Sequence, residues 1–367
     1  MFYTGWHLSS HFGGLSVSGA GKSMTGGKLE MGSVFLNTDD DIIILDPTLE
    51  YEDVARTFNG AYVDIGPDAE NHINPLHIDV KGLSPANIKA VITQKSTIMC
   101  GICEHAMEEE FTKGCRSIID RCVKQMFESL LTTPAEQRTV PIMSDFYRLL
   151  KDQTDPEVHD ITLGLEVFIS GSMNIFNHPN NVNVNNRLLV FGLRDITEEL
   201  ESVGMLVVLS HIRQKIIKNA SEGRATWLYV DEFHELMDKQ YSRKYLISLW
   251  KKVRKLGGIC TGLTQNLTDV SMDKETKKLI SNSEYTMFLR SGVGEVDDVI
   301  STFEGRLTEA HIKYIDNAAK GTGIIRFGNV TIPFDGTIEK DNLLYDLYNT
   351  NFFEKAALKQ ATINSLT

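Results

Sequence analysis

Continuous apolar runs, not alternating ones, recur along the chain. They are Ile-Ile-Ile-Leu at 42–45, Arg-Leu-Leu-Val-Phe at 187–191, Trp-Leu-Tyr-Val at 227–230, Gly-Ile-Cys-Thr-Gly-Leu at 258–263 and Tyr-Thr-Met-Phe-Leu at 285–289. A strand buried on both faces has this pattern, and such strands belong to parallel sheets covered by helices. Between the runs the apolar positions take helical spacing, for example over 196–218 and 239–256. This alternation predicts an α/β domain with a mainly parallel sheet. Met1 to Trp6 reads as a further strand, and Leu15-Ser16-Val17-Ser18 as a short alternating one.

From about 84 to 176 the alternation stops and only helices are expected. Ser84-Pro85 and Asp155-Pro156 read as N-cap and N1 pairs, and Ser144 as the cap of a helix over 145–151. A long helix from near Glu104 ends at Thr132-Thr133-Pro134. The stretch predicts an all-α insertion, residues 83–184, within a core formed by 1–82 and 185–367. An Asn-rich loop, 177–186, leads back to the sheet. The end of the chain reads as a hairpin (322–327 with 329–333) and a helix over about 340–359.

Two motifs carry chemistry. Ser18, Gly19, Ala20, Gly21, Lys22 and Ser23 lie between a strand and a helix. Backbone N–H groups of such a loop cradle a phosphate at a helix N-terminus, the lysine reaches the β/γ oxygens and the hydroxyl ligates Mg²⁺. The full phosphate-loop pattern has Gly where this chain has Ser16. Gly26, Gly27 and Gly32 then fall inside the following helix, each costing about 1 kcal/mol against Ala. The second motif is the strand 227–230 ending in Asp231-Glu232, a Walker B pattern. Asp231 would hold Mg²⁺ and Glu232 would orient or deprotonate water. Either motif alone also fits a plain turn or a surface acid pair; the two in this order are far more specific.

Other candidates are weaker. Gln265, in Thr264-Gln265-Asn266 at the end of a strand, has an amide that suits a sensor between γ-phosphate and water, or a cap. Lys251, Lys252, Arg254 and Lys255 precede Gly257-Gly258. Cations suit a helix C-terminus, and Arg254 or Lys255 equally suits a γ-phosphate finger in cis or from a neighbour. Arg290 and Arg326 are rival fingers. Asp46 is expected to cap residues 48–55 rather than support Mg²⁺. Cys100-Gly-Ile-Cys103, with Cys115, Cys122 and His105, matches no standard zinc spacing and reads as packing. His7 and His11 read as surface or capping residues.

Composition narrows the classes. With 42% hydrophobic and 23% charged residues among 367, global disorder is excluded. No apolar run approaches the ~20 residues of a membrane span, and no secretory leader is apparent. The net charge of −12 disfavours a generic polyanion binder but leaves room for a local basic groove. Five cysteines, an odd number, fit a reducing compartment. The early glycine loop suggests a domain from a longer protein.

The order Ser18-Gly-Ala-Gly-Lys-Ser23, Ile43-Ile-Leu-Asp-Pro47 with Glu50-Tyr51, Leu189-Val-Phe191, Tyr229-Val-Asp-Glu-Phe-His234 and Thr264-Gln-Asn266 resembles the VirB/TraC-like motor ATPases of type IV secretion and conjugation, in the FtsK/HerA superfamily. The resemblance extends over essentially the whole chain, as the C-terminal ATPase domain alone. Departures are Ser16, the Gly26-Gly27 pair, and Thr48-Leu49 where the family often has Glu-Gly. It implies a RecA-like P-loop core, ATP and Mg²⁺, and a homo-oligomer, hexamer or dimer. It also implies a cytoplasmic site at the inner face of a bacterial membrane, with secretion or conjugation proteins as partners and DNA or protein as cargo. Alternatives are a DNA-pumping translocase of the same superfamily and a nucleotide-binding scaffold with little turnover.

Overall fold

The computed structural model describes residues 12–15, 22–66, 69–193, 198–238, 240–264, 283, 285–290, 307–328, 330–349 and 354. Its strands are β1 (Phe12–Leu15), β2 (Asp41–Asp46), β3 (Ala61–Ile65), β4 (Leu188–Leu193), β5 (Thr226–Val230), β6 (Gly258–Thr264), β7 (Tyr285–Leu289), β8 (Thr322–Phe327) and β9 (Val330–Asp335). They form one sheet in the order β3-β4-β2-β5-β6-β1-β7-β8-β9. β2 runs parallel to β4 and β5, β6 to β5 and β1, and β1 to β7. The hairpin β8–β9 joins antiparallel, at the β7 edge. Every residue of β2, β4, β5 and β6 is buried, which is why these segments carry no polar alternation. The fold is the expected α/β core with a mainly parallel sheet. β3 lies at the sheet edge and was not anticipated. Met1 to Trp6, His7, His11 and residues 16–21 lie outside the described residues.

The chain divides into two compact units. One comprises Met1–Tyr62, Asn185–Gly192 and Arg213–Thr367. In it a π-helical turn, Lys22–Leu29, leads into α1 (Glu30–Asn37). Met31 and Val34 of α1 pack on Ile42, Ile44, Tyr51 and Tyr229. The same unit holds α2 (Glu52–Thr57) and the end of β5. Gly26 and Gly27 lie in the π-helical turn and Gly32 in α1. A Cβ on Gly27 would sit 2.8 Å from Leu263 Cδ1 and closer still to the Tyr51 hydroxyl; one on Gly32 would overlap the Tyr348 hydroxyl. These glycines, costly by propensity, are sites where two tyrosines pass close to the helix backbone.

The other unit comprises Val63–Val184 and Leu193–Ile212. It contains α3 (Ile88–Met107), α4 (Lys113–Leu131), α5 (Met143–Lys151) and α6 (Val158–Ile169). Ile98, Ile102, Ile119, Val123, Phe146, Leu150, Ile161 and Leu165 are buried among them. Helix starts differ from the sequence expectation. Ser84 lies in a turn, where its N–H donates to Asn87 Oδ1 at 2.9 Å, and α3 begins at Ile88. Asp155 is paired with Arg121, and α6 begins at Val158. Ser144 donates from N and Oγ to Asn177 Oδ1, at 2.7 and 2.9 Å, while the Asp145 carboxylate accepts from Ile142 N–H at 3.0 Å. The helix expected from Glu104 is two helices, broken at Glu108 (φ 49°) and restarted where Thr112 Oγ1 accepts from Cys115 N–H. α7 (Glu198–Ser221) follows β4.

All five cysteines are free and buried. Burial pushes the Cys103 and Cys260 thiols up, and Cys122 to about 11. No group of three His, Cys, Asp or Glu side chains among the described residues is arranged to hold a metal. The Cys100–Cys103 segment is helix packing.

Candidate active site

Parallel strands deliver their carboxyl ends to one edge of the sheet, where ligands of open α/β folds bind. Leu15 pairs with Thr264, Leu45 with Val230 and Val230 with Gly262, so β1, β2, β5 and β6 finish side by side. That edge presents Asp46, Asp231, Glu232 and Thr264, with Lys22 at the start of the π-helical turn.

Lys22 is buried and reaches both Walker B acids. Its Nζ lies 3.1 Å from Asp231 Oδ1 and 2.7 Å from Glu232 Oε1. Glu232 N–H donates to Asp231 Oδ1 at 3.0 Å. Glu232 has φ 42°, a left-handed conformation that costs a non-glycine residue about 1–3 kcal/mol and tends to mark functional positions. On its other side, Glu232 Oε2 lies 3.4 Å from His234 Nδ1, which is 3.2 Å from Thr264 Oγ1. His234 was not singled out as a site residue from the sequence; it opens α8 (Phe233–Asp238), immediately after the acids.

A second lysine completes the cluster. Lys28 is fully buried; its Nζ donates to the Tyr348 carbonyl at 3.4 Å, lies 3.9 Å from Glu50 Oε2 and 5.0 Å from the Tyr51 ring centre. Asp46 accepts from Glu50 N–H at 3.0 Å and Tyr51 N–H at 2.9 Å, the capping role expected of it. Desolvation raises Asp46 to about 6, against the two backbone donors that lower it. Burial also raises Glu50, with Lys28 opposing.

The acids are not arranged as a metal cage, but Asp231 offers one carboxylate oxygen to a Mg²⁺ that would take its other ligands from phosphate and water. Asp46, Glu50, Asp231 and Glu232 supply four carboxylates against the two ammonium groups of Lys22 and Lys28. Asp231 Oδ2 is buried with no hydrogen-bond partner among the described residues. A buried orphan carboxylate oxygen in an acid-rich cleft is the donor type Mg²⁺ takes.

The structure does not bring every expected residue here. Ser18, Gly19, Ala20, Gly21 and Gln265 lie outside the described residues, and Ser23 follows Lys22, half-buried. α9 (Gln240–Val253) ends in a 3₁₀ turn, Arg254–Leu256, closed by Gly257 at φ 68°. Arg254 and Lys255 are exposed there, at the amino end of β6. β6 spans about 20 Å at ~3.3 Å per residue, which separates them from the acids of their own chain. Arg326 is no finger: it is buried on β8 and donates to Ser283 O at 2.6 Å and Thr286 Oγ1 at 3.1 Å. Arg290 follows β7 at the carboxyl edge and is exposed.

A parallel sheet whose carboxyl edge joins a loop lysine to an Asp-Glu pair defines a P-loop nucleoside triphosphatase. The sequence profile of the TraG P-loop domain matches residues 11–292, and the chain belongs to that family. It is a P-loop ATPase of that family. No curated protein sequence matches it. Among solved structures, VirB4 of Thermoanaerobacter pseudethanolicus is similar over 91% of each chain, with TM-score 0.69 and 20% identity. Plasmid coupling protein TrwB in complex with ADP and Mg²⁺ is similar over 92% of this chain and 87% of its own, with TM-score 0.54 and 12% identity. The unbound conjugative coupling protein TrwB gives TM-score 0.53 at 11% identity, over 90% of this chain and 85% of its own. No helix among the described residues is long and apolar enough to cross a membrane.

Proposed function

We propose that the chain hydrolyses ATP with Mg²⁺ and uses the energy to move DNA or protein through a conjugation or type IV secretion apparatus. The observation that carries this reading is Lys22 shared between Asp231 and Glu232. A loop lysine held by the Walker B acids marks where the β/γ-phosphates enter. Nucleotide draws Lys22 onto its phosphate oxygens, and both carboxylates are released for work. Ser23 and Asp231 would hold Mg²⁺, which supplies charge neutralisation at the phosphates. Glu232 takes the role of base or water-orienting group, and Gln265 that of sensor. Residues 18–21 are assigned to the phosphates by their sequence motif.

Arg254 or Lys255 serves a neighbouring subunit. Both are exposed and stand at the opposite end of β6 from the acids, so a copy of the chain can present them where its own fold does not. The reading therefore includes a homo-oligomer, dimer or hexamer, docked on membrane-associated transfer proteins at the inner face. The helical block 83–184 is an insertion into the ATPase core. Co-crystals of TrwB with ADP and Mg²⁺ support the choice of ligand.

Steady-state hydrolysis of Mg-ATP over a range of protein concentrations tests the reading. Specific activity rises with concentration, and Lys22→Ala and Arg254→Ala both abolish it. Arg254→Ala activity is restored by mixing with Glu232→Gln, which supplies the finger. Specific activity independent of concentration would refute the shared site.

A further inference from the structure

We infer that Tyr51 is a positioning residue for the divalent cation: its phenol oxygen accepts a hydrogen bond from a water ligand of the Mg²⁺ that Asp231 binds. The inference rests on Mg²⁺ binding at Asp231, as proposed above. Tyr51 is fully buried, yet its hydroxyl has no hydrogen-bond partner among the described residues. Buried phenols usually find one. Asp231 is buried too, and its two carboxylate oxygens differ. Oδ1 accepts from Glu232 N–H at 3.0 Å and lies 3.1 Å from Lys22 Nζ, whereas Oδ2 has no hydrogen-bond partner among the described residues. One buried cleft thus holds two unpartnered polar atoms, a hydroxyl and a carboxylate oxygen, that do not bond each other.

Both residues are anchored on the same strand end. Asp231 N–H donates to Leu45 O at 3.0 Å, and Tyr51 N–H donates to Asp46 Oδ2 at 2.9 Å, on consecutive residues of β2. The Tyr51 ring is held in place: it packs with Met31 and Val54, and Lys28 Nζ stands 5.0 Å from its centre. Its hydroxyl lies against Gly27, in the turn that begins with Lys22. There it faces carboxylates. The charges of Asp231, Asp46 and Glu50 join burial in pushing the phenol well above its ordinary pKa, so it stays neutral. A neutral hydroxyl beside several carboxylates suits a hydrated cation. Mg²⁺ bound through one or two carboxylates and phosphate keeps several waters, and these need acceptors. Asp231 Oδ2 takes the ion, and the Tyr51 oxygen fixes one of its waters.

The test is binding of a fluorescent, non-hydrolysable ATP analogue to wild type, Tyr51→Phe, Asp231→Asn and the double variant. Each is measured in EDTA and across a Mg²⁺ titration, with its thermal midpoint. Tyr51→Phe keeps the ring and removes only the oxygen. Its Kd in EDTA stays within about twofold of wild type, while the Mg²⁺ concentration that half-completes the tightening rises about 5–10-fold, the worth of one hydrogen bond. Asp231→Asn raises that concentration as well, and adding Tyr51→Phe to it changes little, because both act on one ion. A Tyr51→Phe titration that overlays wild type overturns the inference. So does an equal loss of affinity with and without Mg²⁺, which assigns the hydroxyl a packing role. Wild-type binding that ignores Mg²⁺, or an Asp231→Asn titration like that of wild type, overturns the placement of the ion itself and the inference with it.

Discussion

Gly26→Ala and Gly27→Ala are adjacent, chemically identical changes in one helical turn, and the structure predicts opposite signs. A Cβ at Gly26 would meet Leu263 Cδ2 at 3.5 Å and Met287 Sδ at 3.7 Å, both ordinary contacts. The change then gains the backbone-entropy difference, about 0.5–1 kcal/mol of stability. A Cβ at Gly27 would stand 2.8 Å from Leu263 Cδ1 and would overlap the Tyr51 hydroxyl. Overpacking of this kind costs about 1–3 kcal/mol, which outweighs the entropic gain. Tyr51 and Leu263 are both fully buried, so neither side chain can swing into solvent. Tyr51→Phe removes the clashing atom, a hydroxyl that lacks a hydrogen-bond partner among the described residues. Gly27→Ala should thus lose about half its penalty in the Tyr51→Phe background, a coupling that a double-mutant cycle resolves. Urea unfolding followed by tryptophan fluorescence gives the five midpoints, for wild type, Gly26→Ala, Gly27→Ala, Tyr51→Phe and the double variant. Equal signs for Gly26→Ala and Gly27→Ala, or no coupling to Tyr51, would refute the packing account of these glycines.

Other predictions concern charge and access. Burial raises Asp46 to about 6 and Glu50 above its ordinary value, so the cost of ionising them in the fold sets in above the ordinary carboxylate range and, for Asp46, is complete above about 6. Stabilisation by Mg²⁺ with nucleotide, read as a thermal shift, therefore increases from pH 5.5 to 7.5; a flat or falling shift would contradict the cluster. Lys95, buried with Nζ on Pro75 O at 2.9 Å, is lowered by desolvation to about 7. Folded protein binds fewer protons than unfolded between about 7 and 10.5, so stability rises with pH over that window. Lys95→Met flattens that rise and is more stable than wild type at pH 7 in chemical denaturation; an unchanged pH slope would refute the assignment. The five cysteines resist a thiol reagent at pH 8 in the native state and react after unfolding. Rapid native labelling would place one of them outside the core.

The parallel strands were legible because full burial erases alternation, as in Ile42–Leu45 and Trp227–Val230. β3 was not, since Tyr62 and Asp64 are only half-buried at an edge and break the apolar run. Caps misled for a different reason. Ser144 has the right side chain, yet Asn177, far along the chain, claims it and leaves capping to Asp145. Helix propensity registers Gly27 and Gly32 as a cost; only the fold reveals the tyrosine hydroxyls that need the space. The Lys22, Asp231 and Glu232 set was readable from motif order, because strand ends and loop lysines converge in parallel sheets. The place of His234 was not, since the fold alone sets Thr264 beside it.

The central claim is that nucleotide takes Lys22 from Asp231 and Glu232 and that Glu232 then acts on water. A single measurement addresses it: binding of a fluorescent ATP analogue and hydrolysis of Mg-ATP on the same preparations of wild type, Lys22→Ala and Glu232→Gln. Wild type binds and hydrolyses, Lys22→Ala loses binding, and Glu232→Gln binds as tightly as wild type or tighter while turnover falls to the Lys22→Ala baseline. Full turnover in Glu232→Gln, or undiminished binding in Lys22→Ala, would contradict it.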